Sequence, residues 1–223
     1  MKKFNKLFII LLCCVGAMSV TSCLSDDGDS GLTDEERAQY FYNIDGTYSG
    51  GGDKYVNILE YHNNDIDKLG MNDTIKSGII ARFARRDSSF TVSGIPARLF
   101  TKEIKGESYK VMKEAIEGAP NQLVTGKFFI PSASGNSALL YFYPTKLEIP
   151  NLTYGGATHN VSISFVQGSL GQWAMSSTNR AAIIPLYVGT IYEDNKAVVT
   201  VCDGSYVDQS IQMASLLQIT AYN

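Results

Sequence analysis

The chain has 223 residues, a net charge of −3 and 18% charged residues, enough length for one good core or two small ones. This slightly acidic balance lacks the basic stripe that nucleic acid requires; the one basic cluster, Arg82, Arg85 and Arg86, reads as a solvated strand edge that discourages edge pairing. Of the four cysteines, Cys13 and Cys14 lie in an N-terminal leader and Cys23 at its end, which leaves Cys202 alone and no disulfide within a mature chain.

The leader opens the chain. Met1-Lys2-Lys3 and Lys6 make a short positive region, and residues 7–15 are apolar. A bilayer span takes about 20 apolar residues, so this stretch reads as a cleavable export signal. Small residues then lead to Val20-Thr21-Ser22-Cys23. Cutting before Cys23 resembles the bacterial lipobox. The resemblance implies removal of residues 1–22, a diacylglycerol on the Cys23 sulfur and an acyl chain such as palmitate on the new amino group. Each buried methylene then contributes about 0.8 kcal/mol, and more than one chain makes attachment stable. The competing reading is a plain secretory signal cut near a cysteine. Leu24-Ser25-Asp26-Asp27-Gly28-Asp29 is too polar to fold, so residues 23–31 are expected to be an acidic tether. A serine followed by acidic residues at this place resembles the surface-export signal of Bacteroidales lipoproteins. That implies an outer-membrane protein facing the cell exterior, with the periplasmic face as the alternative.

Residues 32–223 are expected to form one domain, because no Pro/Ser-rich linker divides them. Thr33-Asp34-Glu35-Glu36 predicts a capped helix to about Tyr42: Thr33 caps, Glu36 reaches back, and the acidic first turn suits the helix dipole. Period-two alternation predicts strands over 55–61, 74–83 and 89–93, with a polar loop over 62–73. Residues 95–100 read as a further strand. Tyr109, Met112 and Ile116 line one face of a second helix over 107–117, stopped by Gly118 and Pro120. Strands follow over 123–130 and 138–143. In 160–166, Val161, Ile163 and Phe165 alternate with Asn160, Ser162 and Ser164, which predicts one wet face. Residues 182–192 are apolar on both faces and are expected to be central and covered twice. Asp194-Asn195 is a two-residue turn that tolerates positive φ, and 196–202 returns as the hairpin partner. The last strand, 211–222, is expected to bury Ile211, Met213, Leu217 and Ile219 and to wet Gln212, Gln218 and Thr220. The sum is a mainly-β chain with two short helices: an antiparallel β-sandwich, with a calycin-like β-barrel as the alternative.

The layout resembles a family. It runs from the lipobox and tether through Leu32-Thr33-Asp34-Glu35-Glu36, Ile44-Asp45-Gly46-Thr47-Tyr48-Ser49-Gly50 and Asn72-Asp73-Thr74-Ile75. Phe90-Thr91-Val92, Ile95-Pro96-Ala97-Arg98-Leu99 and Pro185-Leu186-Tyr187-Val188-Gly189 follow. The chain is similar to the uncharacterised lipoproteins of gut Bacteroidales, which are grouped as domains of unknown function. No functional residue is assigned in that family, so none carries over.

Chemistry-bearing motifs are sparse. The histidines are His62 and His159. Gly168-Ser169-Leu170-Gly171 lacks the spacing of a nucleophile elbow, and Cys202, in an apolar strand, reads as a small hydrophobe. No zinc spacing occurs. The oxygen-rich run Asn63, Asn64, Asp65, Asp67, Asn72 and Asp73 fails as a calcium loop, because Lys68 stands where the turn glycine belongs. No catalytic residue, metal or cofactor is therefore expected. Asp73-Thr74-Ile75 resembles the O-glycosylation motif of Bacteroidales secreted proteins, which implies a glycan on Thr74. Aromatic residues are the enriched class, and most must be packing. Trp173, in the polar stretch 167–180, reads as a loop residue that either caps the core or presents a flat face to a sugar ring or protein partner. Three functions follow in order: a surface-anchored binding module for a glycan or envelope protein, a carrier of a small apolar ligand, and a hydrolase.

Overall fold

The structure, a computed structural model, describes residues 31–49, 57–61, 78–102, 104–200 and 216–223. Helix α1 (Asp34–Ile44) carries the expected capping box, with Thr33 Oγ1 accepting from Glu36 N and Glu36 Oε2 accepting from Thr33 N. Strands β1 (Gly46–Ser49), β2 (Asn57–Tyr61), β3 (Ile80–Ala84) and β4 (Ser89–Ile95) follow. Helix α2 (Lys110–Glu117) buries Met112 and Ile116 and lies against β8 (Leu147–Tyr154). The other strands are β5 (Gln122–Phe129), β6 (Ala133–Ser134), β7 (Ser137–Pro144), β9 (Ala157–Phe165), β10 (Ser169–Met175), β11 (Arg180–Glu193), β12 (Lys196–Thr200) and β13 (Leu216–Tyr222).

Every pairing is antiparallel, and the main path runs β1-β3-β4-β5-β7-β10-β11-β13-β2. Strands β1 and β2 end that path among the described residues, and the sheet is not closed into a barrel. It folds over itself in a sandwich-like way, and Tyr48 on the edge strand β1 meets Trp173 on β10 across the core.

Strand β11 organises the molecule. Its first half pairs with β10 and β13, and its second half pairs with β9 and β12 in a smaller layer that β8 completes. Its two apolar faces are both covered: Ala182, Ile184, Leu186 and Val188 are buried on one, and Ala181 and Pro185 on the other, where Ile183 and Tyr187 are half-buried. The ladder with β9 slips between Val188 and Ile191. There Ser164 Oγ fills the gap, accepting from Thr190 N at 2.8 Å and donating to Thr190 O at 3.1 Å. The Asp194-Asn195 turn has φ of 48° and 66° as expected.

Two expectations fail here. Residues 95–100 are not a strand. Pro96 has φ of −60° and no N–H, and a 3-10 turn over Ala97–Phe100 follows it, since proline cannot donate to a ladder. Nor is the polar face of β9 wet throughout: Asn160 is exposed, but Ser162 is buried, and half-buried Ser164 is bonded into the bulge.

The interior is filled by aromatic rings. Phe83 meets Tyr48 at 5.4 Å, Phe128 at 5.3 Å and Phe142 at 6.2 Å, and Phe90 meets Phe142 at 5.1 Å. Such tilted and edge-to-face pairs contribute about 0.5–1.5 kcal/mol each beyond area burial. Phe41 of α1 closes one end on Phe128 at 5.3 Å, and Phe100 of the 3-10 turn meets Phe165 at 5.9 Å.

Close packing makes Gly171 mandatory. A Cβ on Gly171 would fall on the Ile183 carbonyl oxygen, 2.6 Å from Phe142 Cε2 and 2.8 Å from Pro185 Cδ. Gly171→Ala should lower stability by about 2–3 kcal/mol or more in chemical denaturation, because backbone oxygen cannot yield without loosening the β10–β11 ladder. Gly118→Ala, whose new methyl would sit 3.5 Å from Glu114 O, should change the midpoint little.

Candidate interaction surface

Trp173 is not a loop residue. The stretch forms β10, held by β7 on one side and β11 on the other, and Trp173 is 0% exposed. Of its two readings, core residue or flat contact face, the structure shows the core residue. Small and polar neighbours hide the period: Gly171 and Trp173 point inward, while Leu170 and Gln172 point outward. The indole Nε1 donates to Tyr48 Oη at 2.9 Å, and Tyr48 Oη donates to Ile44 O at 2.9 Å. Arg180 stacks over the Tyr48 ring at 5.4 Å, and its Nη1 donates to Asn43 O and Asp45 O at 2.9 Å each. These carbonyls end α1, where helix carbonyls lack intrahelical partners and carry the negative pole. Burial pushes the Tyr48 phenol up to about 12, against the Trp173 hydrogen bond, which lowers it.

Exposed apolar side chains gather on the other side of the same strands. Tyr141 of β7 pairs with Phe129 of β5 and with Leu170 of β10, forming a cross-strand row. Phe129 is 44% exposed and Leu170 47%, and Tyr143, two residues along β7, is 41% exposed. Lys127 lies opposite Tyr143 and is paired with Asp87 at 3.2 Å. At the Phe129 end, the Arg37 guanidinium stacks on the ring at 5.4 Å, and its Nη2 donates to Leu32 O at 3.4 Å. The row therefore starts where the chain enters the domain. Further round the face, Thr220 is buried rather than wet as expected. Its Oγ1 and Gln172 Nε2 have no hydrogen-bond partner among the described residues.

A polar cluster occupies the far end of β11. His159 Nδ1 lies 2.8 Å from Asp194 Oδ2 and 3.8 Å from Glu193 Oε1. The imidazole stacks on Tyr154 at 4.4 Å, and Tyr154 Oη donates to Glu193 Oε1 at 2.6 Å. Burial and then the Glu193 carboxylate raise the Tyr154 phenol, whereas the Asn160 N–H and then His159 hold the Asp194 carboxyl low. The cluster ties the tip of the β8–β9 hairpin to that of β11–β12. Neither a serine nor a cysteine is a partner of His159 among the described residues, and Ser169 is buried. No group of described His, Cys, Asp or Glu residues is placed to hold a metal ion. Cys23, the tether, His62, the 62–73 loop, Thr74 and Cys202 lie outside the described residues.

Fold and surface together define a mainly-β antiparallel module with a side-chain-filled interior and one apolar outer face. The chain belongs to the family described as a domain of unknown function (DUF4840), which matches residues 43–193. No curated protein and no solved structure matches it. The family segment spans the fold from the end of α1 to the end of β11, and so includes both the buried network and the exposed row.

The network has a pH signature. Tyr48 keeps its proton longer in the folded chain than in the unfolded one, whose tyrosine has an ordinary value of 10.0. Its contribution is therefore complete below about pH 10 and is lost as pH rises through about 12. Tyr48→Phe should cost about 1–3 kcal/mol at neutral pH, since it strands the Trp173 N–H. Denaturation of both proteins along a pH series should show that gap closing above pH 10; a constant gap contradicts the assignment.

Proposed function

We propose that this protein is a cell-envelope lipoprotein whose β-domain is a binding module facing the cell exterior. Residues 1–22 act as the signal, Cys23 carries the lipid, and residues 23–31 tether a domain that begins at Leu32. The positive region, the short apolar run and Val20-Thr21-Ser22-Cys23 support the anchor. Their similarity to Bacteroidales lipoproteins supports the outer membrane, and Thr74 is the proposed glycan site. No described helix is long and apolar enough to cross a membrane.

The binding part rests on one observation, the cross-strand row of Phe129, Tyr141 and Leu170 with Tyr143 beside it. Contiguous exposed apolar surface rimmed by polar groups marks an interaction site more often than scattered hydrophobes do. The row replaces Trp173 as the contact surface for a glycan or envelope protein. A carrier has less support, because Tyr48, Phe83, Phe90, Phe142 and Trp173 occupy the space a ligand would use. Among the described residues, the hydrogen-bond partner of His159 is the carboxylate of Asp194 and not a serine or cysteine, which gives a hydrolase no support.

Mass spectrometry of the mature product tests the anchor. The account expects an N-terminal diacylglyceryl Cys23, and expects Cys23→Ser to move the protein from the membrane pellet to the soluble fraction with its melting temperature unchanged. A mature chain starting elsewhere, or an unmodified Cys23, contradicts it.

A further inference from the structure

Strand β3 is not an edge. It is paired with β1 on one side and β4 on the other, so its arginine does not guard an open ladder. Arg82 stands inside an outward cross-strand row, Thr47–Arg82–Thr91–Thr125. Arg85 and Arg86 follow in the β3–β4 turn, the first about 10 Å further along the chain. All three arginines are exposed. Among the described residues, none of their guanidiniums has a carboxylate partner or a hydrogen bond. By contrast, Lys113, Lys127 and Lys146 each lie beside a carboxylate, at 4.0, 3.2 and 3.7 Å. The acids near the arginines are engaged elsewhere. Asp45 Oδ1 accepts from the Arg85 backbone N–H at 2.9 Å, and Asp87 is held by Ser89 and Lys127. Three like charges without counter-charges repel one another and make this corner positive, within a chain of net charge −3.

We propose that this corner binds an oligosaccharide that carries carboxylates. Arg82 and Arg86 pair with the acid groups, since a guanidinium fork matches a carboxylate with two parallel hydrogen bonds. The neighbours of Arg82 narrow the class. Thr47 and Thr91 flank it across the strands, and neither hydroxyl is bonded among the described residues. Thr125, further along the row, is already bonded to Thr145 at 2.7 Å. Two free hydroxyls on either side of one cation suit a ligand that bears hydroxyls beside its acid. At the turn, the Arg85 guanidinium lies over the Tyr42 ring at 5.1 Å, and Tyr42 is 61% exposed. The open side of that ring is a stacking platform for the apolar face of a sugar. An acidic peptide brings the charge without the hydroxyls or the flat ring. This rests on the binding-module reading, but it uses a second patch, two cross-strand rows from Phe129 on the same sheet.

Full-length protein in detergent is titrated by calorimetry at low salt with three probes: a galacturonic acid oligomer, its methyl ester, and a glutamate oligomer of equal charge. The expected result is saturable binding of the first and at least tenfold weaker binding of the other two. Arg82→Gln should weaken the first at least tenfold. Its melting temperature should stay the same or rise, because one of three like charges is gone. Lys196→Gln, an exposed cation of β12, and Leu170→Ser should bind as wild type does. Equal binding of the glutamate oligomer reduces the site to charge alone and overturns the proposal. Equal binding of the methyl ester, or no binding of any probe, overturns it as well. Binding lost in Leu170→Ser and kept in Arg82→Gln places the sugar on the apolar row, which overturns this site and leaves the module reading standing.

Discussion

One phenol holds the two ends of the core together. Tyr48 accepts from the Trp173 indole and donates to the last turn of α1, and Arg180 lies over its ring while bonding carbonyls on either side of Ile44. An open sheet has no closing ladder to keep its edge strand over its middle. Here edge strand β1 is held over β10 by that hydrogen bond and by the rings around it. A buried polar group is costly when unpaired and specific when satisfied. Both Tyr48 and Trp173 are satisfied, so the network favours one arrangement of the sheet over nearby alternatives.

The same closure decides what the outside looks like. Inward positions of β5, β7 and β10 are taken by Phe128, Phe142, Leu140 and Trp173. The pleat then sends Phe129, Tyr141, Tyr143 and Leu170 outward. A filled interior and an apolar exterior are thus two faces of one alternation. Strand β11 adds polarity along the molecule, with the α1 carbonyls at its start and the two hairpin tips at its end.

Much of the frame was legible in the residues. The α1 capping box, the doubly buried run of β11 and the Asp194-Asn195 turn are local signals, each decided within a few residues. Strand β10 was not legible, because Ser169 and Gly171 stand at the inward positions where apolar residues would mark its period, and Leu170 stands outside. Gly171 is there because Ile183 O and Phe142 leave no room for a side chain. Residues 95–100 misled because apolar alternation outweighed one proline. The wet face expected of β9 shrank to Asn160 because pairing in a second layer, invisible locally, buried Ser162 and bonded Ser164 into a strand slip. The exposed row was beyond sequence reading for the same reason: Phe129, Tyr141 and Leu170 become neighbours only through the pairing of three strands.

The closure is tested most directly at the indole proton of Trp173, which gives a single side-chain resonance in a chain with one tryptophan. Native-state hydrogen exchange of that proton should proceed only through global unfolding, with a protection free energy equal to the stability measured by denaturant. Exchange within minutes at neutral pH, in protein whose β-sheet amides remain protected, would show that the Tyr48–Trp173 contact does not hold the fold together.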